Sequence, residues 1–95
     1  PKHMVEHLYM FAGKSIRAKF KADNGIIDQI IDWFGMDVAF QPMDENSCVA
    51  TVRVNEDAFF YWAMQYGLYI EVLEPIDMRE RIKQALKTIS VKYSI

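Results

Sequence analysis

The stretch from Asp57 to Pro75, DAFFYWAMQYGLYIEVLEP, constrains the fold more than any other part of the chain. At a helical period of about 3.6 residues, its first half forms one apolar arc. The members of that arc are Ala58, Phe59, Trp62, Ala63 and Tyr66. Gly67 follows, where the end of a helix needs a residue that tolerates positive φ. Residues 68–73 then alternate, with Leu68, Ile70 and Val72 on one side and Tyr69, Glu71 and Leu73 on the other. The stretch therefore predicts a helix that turns directly into a strand, which Pro75 ends.

Two apolar surfaces in the second half of the chain have no obvious place in a small core. The far side of the aromatic helix carries Phe60, Tyr61 and Met64, where a monomer should show charge. The C-terminal segment, residues 76–95, predicts an amphipathic helix that needs a surface to cover its stripe. That stripe consists of Met78, Ile82, Ala85, Leu86, Ile89 and Tyr93. We therefore expect a homodimer, with an interface formed by Phe60, Tyr61, Met64, Ile82, Leu86 and Ile89.

The first half of the chain alternates in the same way. Residues 14–22 and 47–54 each read as a strand with one apolar face, and residues 37–43 as a short edge strand that contains Pro42. Residues 44–46 have the composition of a hairpin turn. Residues 26–34 predict a helix that Gly35 ends. For the helix starts we expect capping by Asp23 or Asn24, by Asn55, and by a capping-box pair of Asp77 with Glu80.

The order of these elements is strand, helix, strand, strand, helix, strand and a final helix. Two β-α-β units joined by a hairpin predict an α+β protein with the ferredoxin-like fold. Its four-stranded antiparallel sheet, with strand order 4-1-3-2, would carry the first two helices on one face. We expect residues 14–75 to form this core. Because the chain opens with Pro1, we expect residues 1–13 to connect to an upstream domain.

The outer face of the predicted sheet is basic in its middle. Arg17, Lys19 and Lys21 alternate with the apolar positions of the first strand, and Arg53 does so in the third. These four cations and Tyr69 are the candidate binding residues for an anionic effector or a phosphate group. The alternative is a purely structural role, in which Arg17 or Lys19 pairs with Glu71 on the neighbouring strand. Since the face carries no aromatic side chain between its cations, it does not have the stacking surface of an RNA-binding sheet.

Composition argues against several other functions. The 95 residues suit one domain, and a net charge of −2 gives no overall attraction to nucleic acid or to anionic lipid. Cys48 is alone, which indicates a buried cysteine in a reducing cytoplasm. His3 and His7 have helical spacing but no third ligand nearby, so we expect no metal. No apolar run approaches the length of a membrane span. We expect neither a cofactor nor an enzyme, because no nucleophile has a base beside it and no glycine-rich phosphate loop occurs.

Four segments of the chain resemble one known family when taken in order. They are IIDWFG at 30–35, FYWAMQYG at 60–67, EVLEP at 71–75 and MRERI at 78–82. The chain is similar, over residues 8–93, to the C-terminal extension (WCX) module of WYL-domain transcriptional regulators of the DeoR-like/YafY-like group. The matching positions are Trp62, Gly67, Val72 with Pro75, Arg79 with Glu80, and Tyr93. Met78 stands where the family commonly has Leu, a change that conserves volume.

The resemblance implies a regulatory domain that senses an effector, supports dimerisation, or does both. In such bacterial proteins, a winged helix-turn-helix and a WYL domain precede this module in the same chain, and the effector is sometimes a nucleic acid. The DNA-reading helix would lie outside this chain. The alternative is a stand-alone ferredoxin-like module that binds a small molecule or a nucleic acid.

Overall fold

The computed structural model describes residues 14–94. Four strands form one sheet: β1 (Ser15–Asp23), β2 (Ala39–Pro42), β3 (Ser47–Asn55) and β4 (Ile70–Glu74). Three helices accompany it: α1 (Ile27–Phe34), which follows a short 3-10 turn (Asn24–Ile26), α2 (Glu56–Gln65) and α3 (Ile76–Lys92). The strand order is β2-β3-β1-β4, and every neighbouring pair is antiparallel. The ferredoxin-like topology and the C-terminal helix are confirmed.

The core lies between the sheet and the helices because every second residue of the two central strands faces inward. Ala18, Phe20 and Ala22 of β1 are fully buried, and so is Ala50 of β3. Small side chains at three of these four positions let the helices approach the sheet closely. Phe20, at the centre of the sheet, fills the space that the alanines leave.

Phe20 is the centre of an aromatic cluster that joins both helices to the sheet. Its ring centroid lies 5.2 Å from that of Trp62, 5.7 Å from that of Phe59 and 6.3 Å from that of Phe34. Phe34 and Trp62 meet edge to face at 4.8 Å. The tilted and edge-on geometries are those that the ring quadrupoles favour. Phe59 and Trp62, members of the apolar arc predicted for this helix, are both buried in the core, and the Trp62 indole nitrogen has no hydrogen-bond partner among residues 14–94.

Helix ends follow the expected chemistry at two positions. Gly35 ends α1 with a φ of 83°, a conformation that favours glycine. Asn55 caps α2, because its side-chain oxygen accepts hydrogen bonds from the backbone amides of Asp57 at 2.9 Å and Ala58 at 3.0 Å. Both predictions are confirmed.

Three other expectations about helix ends are wrong. Gly67 has no positive φ, because the chain leaves α2 through a series of turns rather than through one left-handed residue. The Asp77–Glu80 capping box does not form, because α3 already begins at Ile76 behind Pro75. Neither Asp23 nor Asn24 caps a helix. Instead the Asn24 side chain donates to the Glu45 carbonyl at 3.2 Å and so joins the start of α1 to the β2–β3 turn.

Strand β4 is shorter than predicted and irregular. The turn after α2 extends to Tyr69, so Leu68 is 90% exposed instead of lying on the inner face. Lys19 of β1 faces Glu74, whereas Phe20 faces Val72, so Leu73 is the extra residue of a β-bulge. The bulge shifts the last residues of β4 relative to β1 and brings Glu74 next to Lys19.

Helix α3 is anchored to the rest of the fold only through its first two turns. Met78 is 4% exposed and belongs to the core, and Ile82 packs against the core. The Arg81 guanidinium donates to Asp57 at 2.8 Å and lies 4.0 Å from the centre of the Phe60 ring. Arg79 donates to the Val72 carbonyl and to Glu71. The first part of the predicted stripe therefore packs within the same chain, against α2 and β4.

Replacing the cap of α2 should destabilise the whole domain. We expect Asn55→Ala to lower the free energy of unfolding by about 1 kcal/mol, because two backbone amides lose their acceptor. Asn55→Asp keeps a side-chain oxygen and should lower the free energy of unfolding by only about a few tenths of a kcal/mol. Urea denaturation followed by circular dichroism measures both values. An equal loss in the two variants would show that the oxygen does not act as the cap.

The contacts of Arg81 should contribute measurably to the attachment of α3. We expect Arg81→Ala to lower the free energy of unfolding by about 1 to 2 kcal/mol, since an ion pair and a cation–π contact are lost together. Lys83→Ala changes an exposed residue of the same helix and should change the free energy of unfolding by less than about 0.5 kcal/mol. A double-mutant cycle with Asp57→Asn separates the ion pair from the ring contact. If Arg81→Ala and Lys83→Ala have equal effects, the attachment does not depend on Arg81.

Candidate functional site

The four predicted basic residues of the sheet all lie on its outer face. Arg17, Lys19 and Lys21 alternate with the buried positions of β1, and Arg53 lies between buried Val52 and Val54 of β3. Both arginines are exposed, and both lysines are half-buried. The first two helices cover the opposite face, and α3 packs against the edge strand β4 and against α2. The outer face, called here the basic face, is thus left open by the helices of the described chain.

The strand register places two of these cations directly opposite each other. Arg17 of β1 faces Arg53 of β3, whereas Lys19 faces Thr51 and Lys21 faces Val49. Opposed side chains on an antiparallel pair have Cβ atoms about 5 Å apart, and like charges there are unfavourable. On the basic face, Arg17 and Arg53 therefore stand side by side with no neutral residue between them. This pair is called here the arginine row.

The acidic residues of β4 lie beside the two lysines of β1 but not beside the two arginines. The Lys19 ammonium lies 3.9 Å from Glu74, and Lys21 faces Glu71 in the register. Glu71 itself forms an ion pair with Arg79 of α3 at 3.0 Å. The alternative in which Arg17 or Lys19 pairs with Glu71 is wrong, because the register places Glu71 opposite Lys21 and Lys19 pairs with Glu74 instead. Among residues 14–94, no carboxylate lies within 4.0 Å of the Arg17 or Arg53 guanidinium.

Tyr69 lies at the other end of the sheet from the arginine row. It belongs to the turn before β4, where its carbonyl accepts a hydrogen bond from the Asp23 amide at 3.0 Å. Asp23 ends β1, and Arg17 is near the start of that strand. Of the five predicted binding residues, Arg17 and Arg53 lie at one end of the sheet, Lys21 and Tyr69 lie towards the other end, and Lys19 lies between them.

Four of the six predicted interface residues line a groove between α3 and the rest of the fold. The groove has a volume of about 1190 Å³ and lies between the second half of α3 on one side and the end of α2 with β4 on the other. Its apolar lining includes Met64, Leu68, Ile70, Ile82, Leu86 and Ile89. Leu86 is 54% exposed and Ile89 is 39% exposed, in contrast to buried Met78 in the first turn.

Phe60 and Tyr61 lie away from this groove. Phe60 is half-buried beneath the Arg81 guanidinium and contacts the core. Tyr61 is exposed and meets the Phe60 ring edge to face at 5.3 Å. Of the six residues predicted for an interface, Met64, Ile82, Leu86 and Ile89 share one surface, and the two aromatic residues occupy another.

Groups that could carry chemistry are few in residues 14–94. Burial raises the pKa of the Cys48 thiol, which leaves it protonated at neutral pH and a poor nucleophile. The Asn46 backbone amide donates a hydrogen bond to the Asp44 carboxylate at 2.8 Å, and this bond lowers the pKa of Asp44. The same bond stabilises the β2–β3 turn. This part of the chain contains no group of three or more His, Cys, Asp or Glu side chains that could hold a metal ion. His3 and His7 lie outside the described residues.

No helix within residues 14–94 is long and apolar enough to cross a membrane. The longest one, α3, has 17 residues and carries charged side chains throughout its first three turns.

A search of curated proteins finds a relative that is itself a regulator. The chain is 32% identical over 59 residues to YobV of Bacillus subtilis (strain 168), which is described as an uncharacterized HTH-type transcriptional regulator. The match covers 61% of this chain but only 19% of YobV, so the chain spans a small part of the length of that relative.

A family model describes most of the chain. The model of the WCX domain matches residues 14–90, which are β1 to β4, both helices of the core and nearly all of α3. The sheet, the aromatic cluster and the anchored half of α3 all lie within the matched residues. The chain belongs to the WCX domain family.

Proposed function

We propose that the chain is the C-terminal regulatory domain of a bacterial WYL-type transcriptional regulator and that it mediates self-association. The family match and the likeness to an HTH-type regulator support the regulatory role. The DNA-reading domain, the WYL domain and the operator contacts would belong to other parts of such a protein. A regulator of this kind would act in the cytoplasm. The regulatory role has two parts in this proposal, self-association through α3 and the sensing of an anionic effector.

The observation that supports self-association most directly is the division of α3 into an anchored half and an exposed half. A helix of 17 residues is about 25 Å long, and only its first two turns are held by the core. Beyond Ile82, the apolar side chains of Leu86, Ile89 and Val91 face the groove or solvent. An exposed apolar surface of this kind, rimmed by Lys83 and Lys87, is typical of an interaction site.

A second copy of the chain suits this groove because one molecule offers both complementary parts. The groove lies between α2, β4 and α3. The second half of α3 carries a row of exposed apolar side chains, called here the ridge, which are Leu86, Ile89 and Val91. In a two-fold dimer, the ridge of each copy can enter the groove of the other copy. Each contact then occurs twice, once on either side of the symmetry axis.

The alternative is a stand-alone module that binds a nucleic acid or a small molecule. Among the outward positions of β1 and β3 there is no aromatic ring on which a base could stack. The basic face therefore favours contact with a charged group over recognition of a single-stranded nucleic acid.

A charge placed on the ridge should disrupt self-association without unfolding the domain. We expect Leu86→Glu to raise the dimer dissociation constant by at least about tenfold, because a carboxylate must be desolvated in an apolar groove. Met64→Glu, on the opposite wall, should act in the same direction. Gln84→Glu is the matched control, since it adds the same charge to α3 at an exposed position that does not line the groove. Sedimentation equilibrium measures the dissociation constants, and circular dichroism checks the fold.

Two results would contradict this proposal. The wild-type chain could remain strictly monomeric at high concentration, which would remove self-association. Alternatively, Gln84→Glu could weaken the dimer as much as Leu86→Glu, which would place the interface elsewhere. Unfolding of Met64→Glu would show that this half-buried side chain belongs to the core.

A further inference from the structure

We infer that Arg17 and Arg53 together form a binding site for one compact phosphate group, such as a phosphate monoester on a small molecule. The inference deepens the effector-sensing part of the proposed function and rests on it only for the role of the ligand as an effector. Binding itself requires only the arrangement of the basic face.

The first argument is the repulsion between the two guanidinium groups. Arg17 and Arg53 are directly opposed on β1 and β3, and both side chains are exposed. A cross-strand pair of like charges is unfavourable unless an anion lies between them. No carboxylate of residues 14–94 lies within 4.0 Å of either group. The described part of the chain thus places two cations side by side and forms no ion pair with either of them.

The second argument is the chemistry of the side chains. A guanidinium group presents a planar set of N–H donors that fits two oxygens of a phosphate at once. Cβ atoms about 5 Å apart allow two such side chains to converge on one group. Both arginines stand on the central strands of the sheet, whose backbone positions are fixed by ladder hydrogen bonds. Only the side chains would need to become ordered when the ligand binds.

The third argument concerns the size of the ligand. An extended polyanion needs several cations along its path, but Lys19 already pairs with Glu74, and Lys21 faces Glu71. On the other side of Arg17, a cleft of about 350 Å³ is lined by Glu56 and Asp77 as well as by Lys14. Carboxylates therefore lie on both sides of the arginine row. A ligand with a single phosphate meets fewer of these carboxylates than a chain of phosphates that extends along the face.

The test is a titration of the whole chain at constant ionic strength and about pH 7.5, where a phosphate monoester is mostly a dianion. The probes are inorganic phosphate, glycerol 3-phosphate and an oligodeoxythymidine of about ten nucleotides without a terminal phosphate. Two-dimensional NMR follows the backbone amides and the arginine Nε–H groups. We expect saturable shifts with the first two probes, confined to the arginine row and its neighbours, and much weaker binding of the oligonucleotide.

Variants assign the site to the two arginines. We expect Arg17→Gln and Arg53→Gln each to weaken the binding of glycerol 3-phosphate by about tenfold or more, because a charged hydrogen-bonding group is lost. Arg53→Lys keeps the charge but not the planar set of donors, and should bind with intermediate affinity. Lys21→Gln is the matched control, since it removes one cation from the same strand and face but from a row that contains Glu71. Its affinity should stay within about twofold of the wild type.

Stability without ligand gives an independent measurement. If the two guanidinium groups repel each other, Arg17→Gln should raise the melting temperature by about 1 to 5 °C in phosphate-free buffer. Phosphate should then stabilise the wild type but not the variant.

Three outcomes would overturn the inference. Equal weakening by Lys21→Gln and Arg17→Gln would indicate general ionic attraction, and so would shifts that do not saturate. A lower melting temperature of Arg17→Gln in phosphate-free buffer would show that the arginine row is not repulsive. Tighter binding of the oligonucleotide than of glycerol 3-phosphate, with a steep dependence on salt, would indicate an extended strand as the ligand. None of these results depends on whether the chain dimerises, so each proposal can fail separately.

Discussion

The packing of Phe20 against Phe34, Phe59 and Trp62 is the interaction on which the rest of the structure depends. Phe20 comes from β1, one of the two central strands, Phe34 comes from the last turn of α1, and the other two come from α2. Each aromatic pair contributes about 0.5 to 1.5 kcal/mol beyond the burial of its area. The cluster is the point at which the sheet and both helices meet, and it determines which face of the sheet is covered. The positions of the basic face and of the groove beside α3 follow from which face of the sheet is covered.

The open face of the sheet follows from the covered one. Because Phe20 and the buried alanines face the helices, the residues between them must face outward, and these are the cations of β1. A one-residue shift of β1 would bury Arg17 and Lys19 and expose Phe20. The hydrophobic core therefore holds the arginine row in its place, although neither arginine contributes to the core.

Helix α3 connects the two surfaces. Through Arg79 it pairs with Glu71 of β4, and through Arg81 it contacts Asp57 and Phe60 of α2. The first contact occupies a carboxylate that Lys21 faces from β1, so the packing of α3 influences the charge balance of the basic face. The second contact sets the direction in which the exposed half of α3 leaves the fold. If α3 moved when a partner copy bound, the ion pair of Arg79 with Glu71 would change, and with it the charge opposite Lys21 at one edge of the basic face.

The sequence alone was sufficient for the order of the elements, for the fold and for the faces of β1 and β3, because alternation with period two and the apolar arc of α2 are local signals. It also determined the Asn55 cap and the turn at Gly35. The start of β4 at Ile70, the bulge at Leu73 and the partners of Glu71 and Arg81 depended on tertiary structure. Asp57 and Arg81 are 24 residues apart, and no local pattern predicts such a contact. The opposition of Arg17 and Arg53 likewise required the register of two strands that are separated in the chain by α1 and β2, since alternation gives the face of a residue but not its neighbour on the next strand.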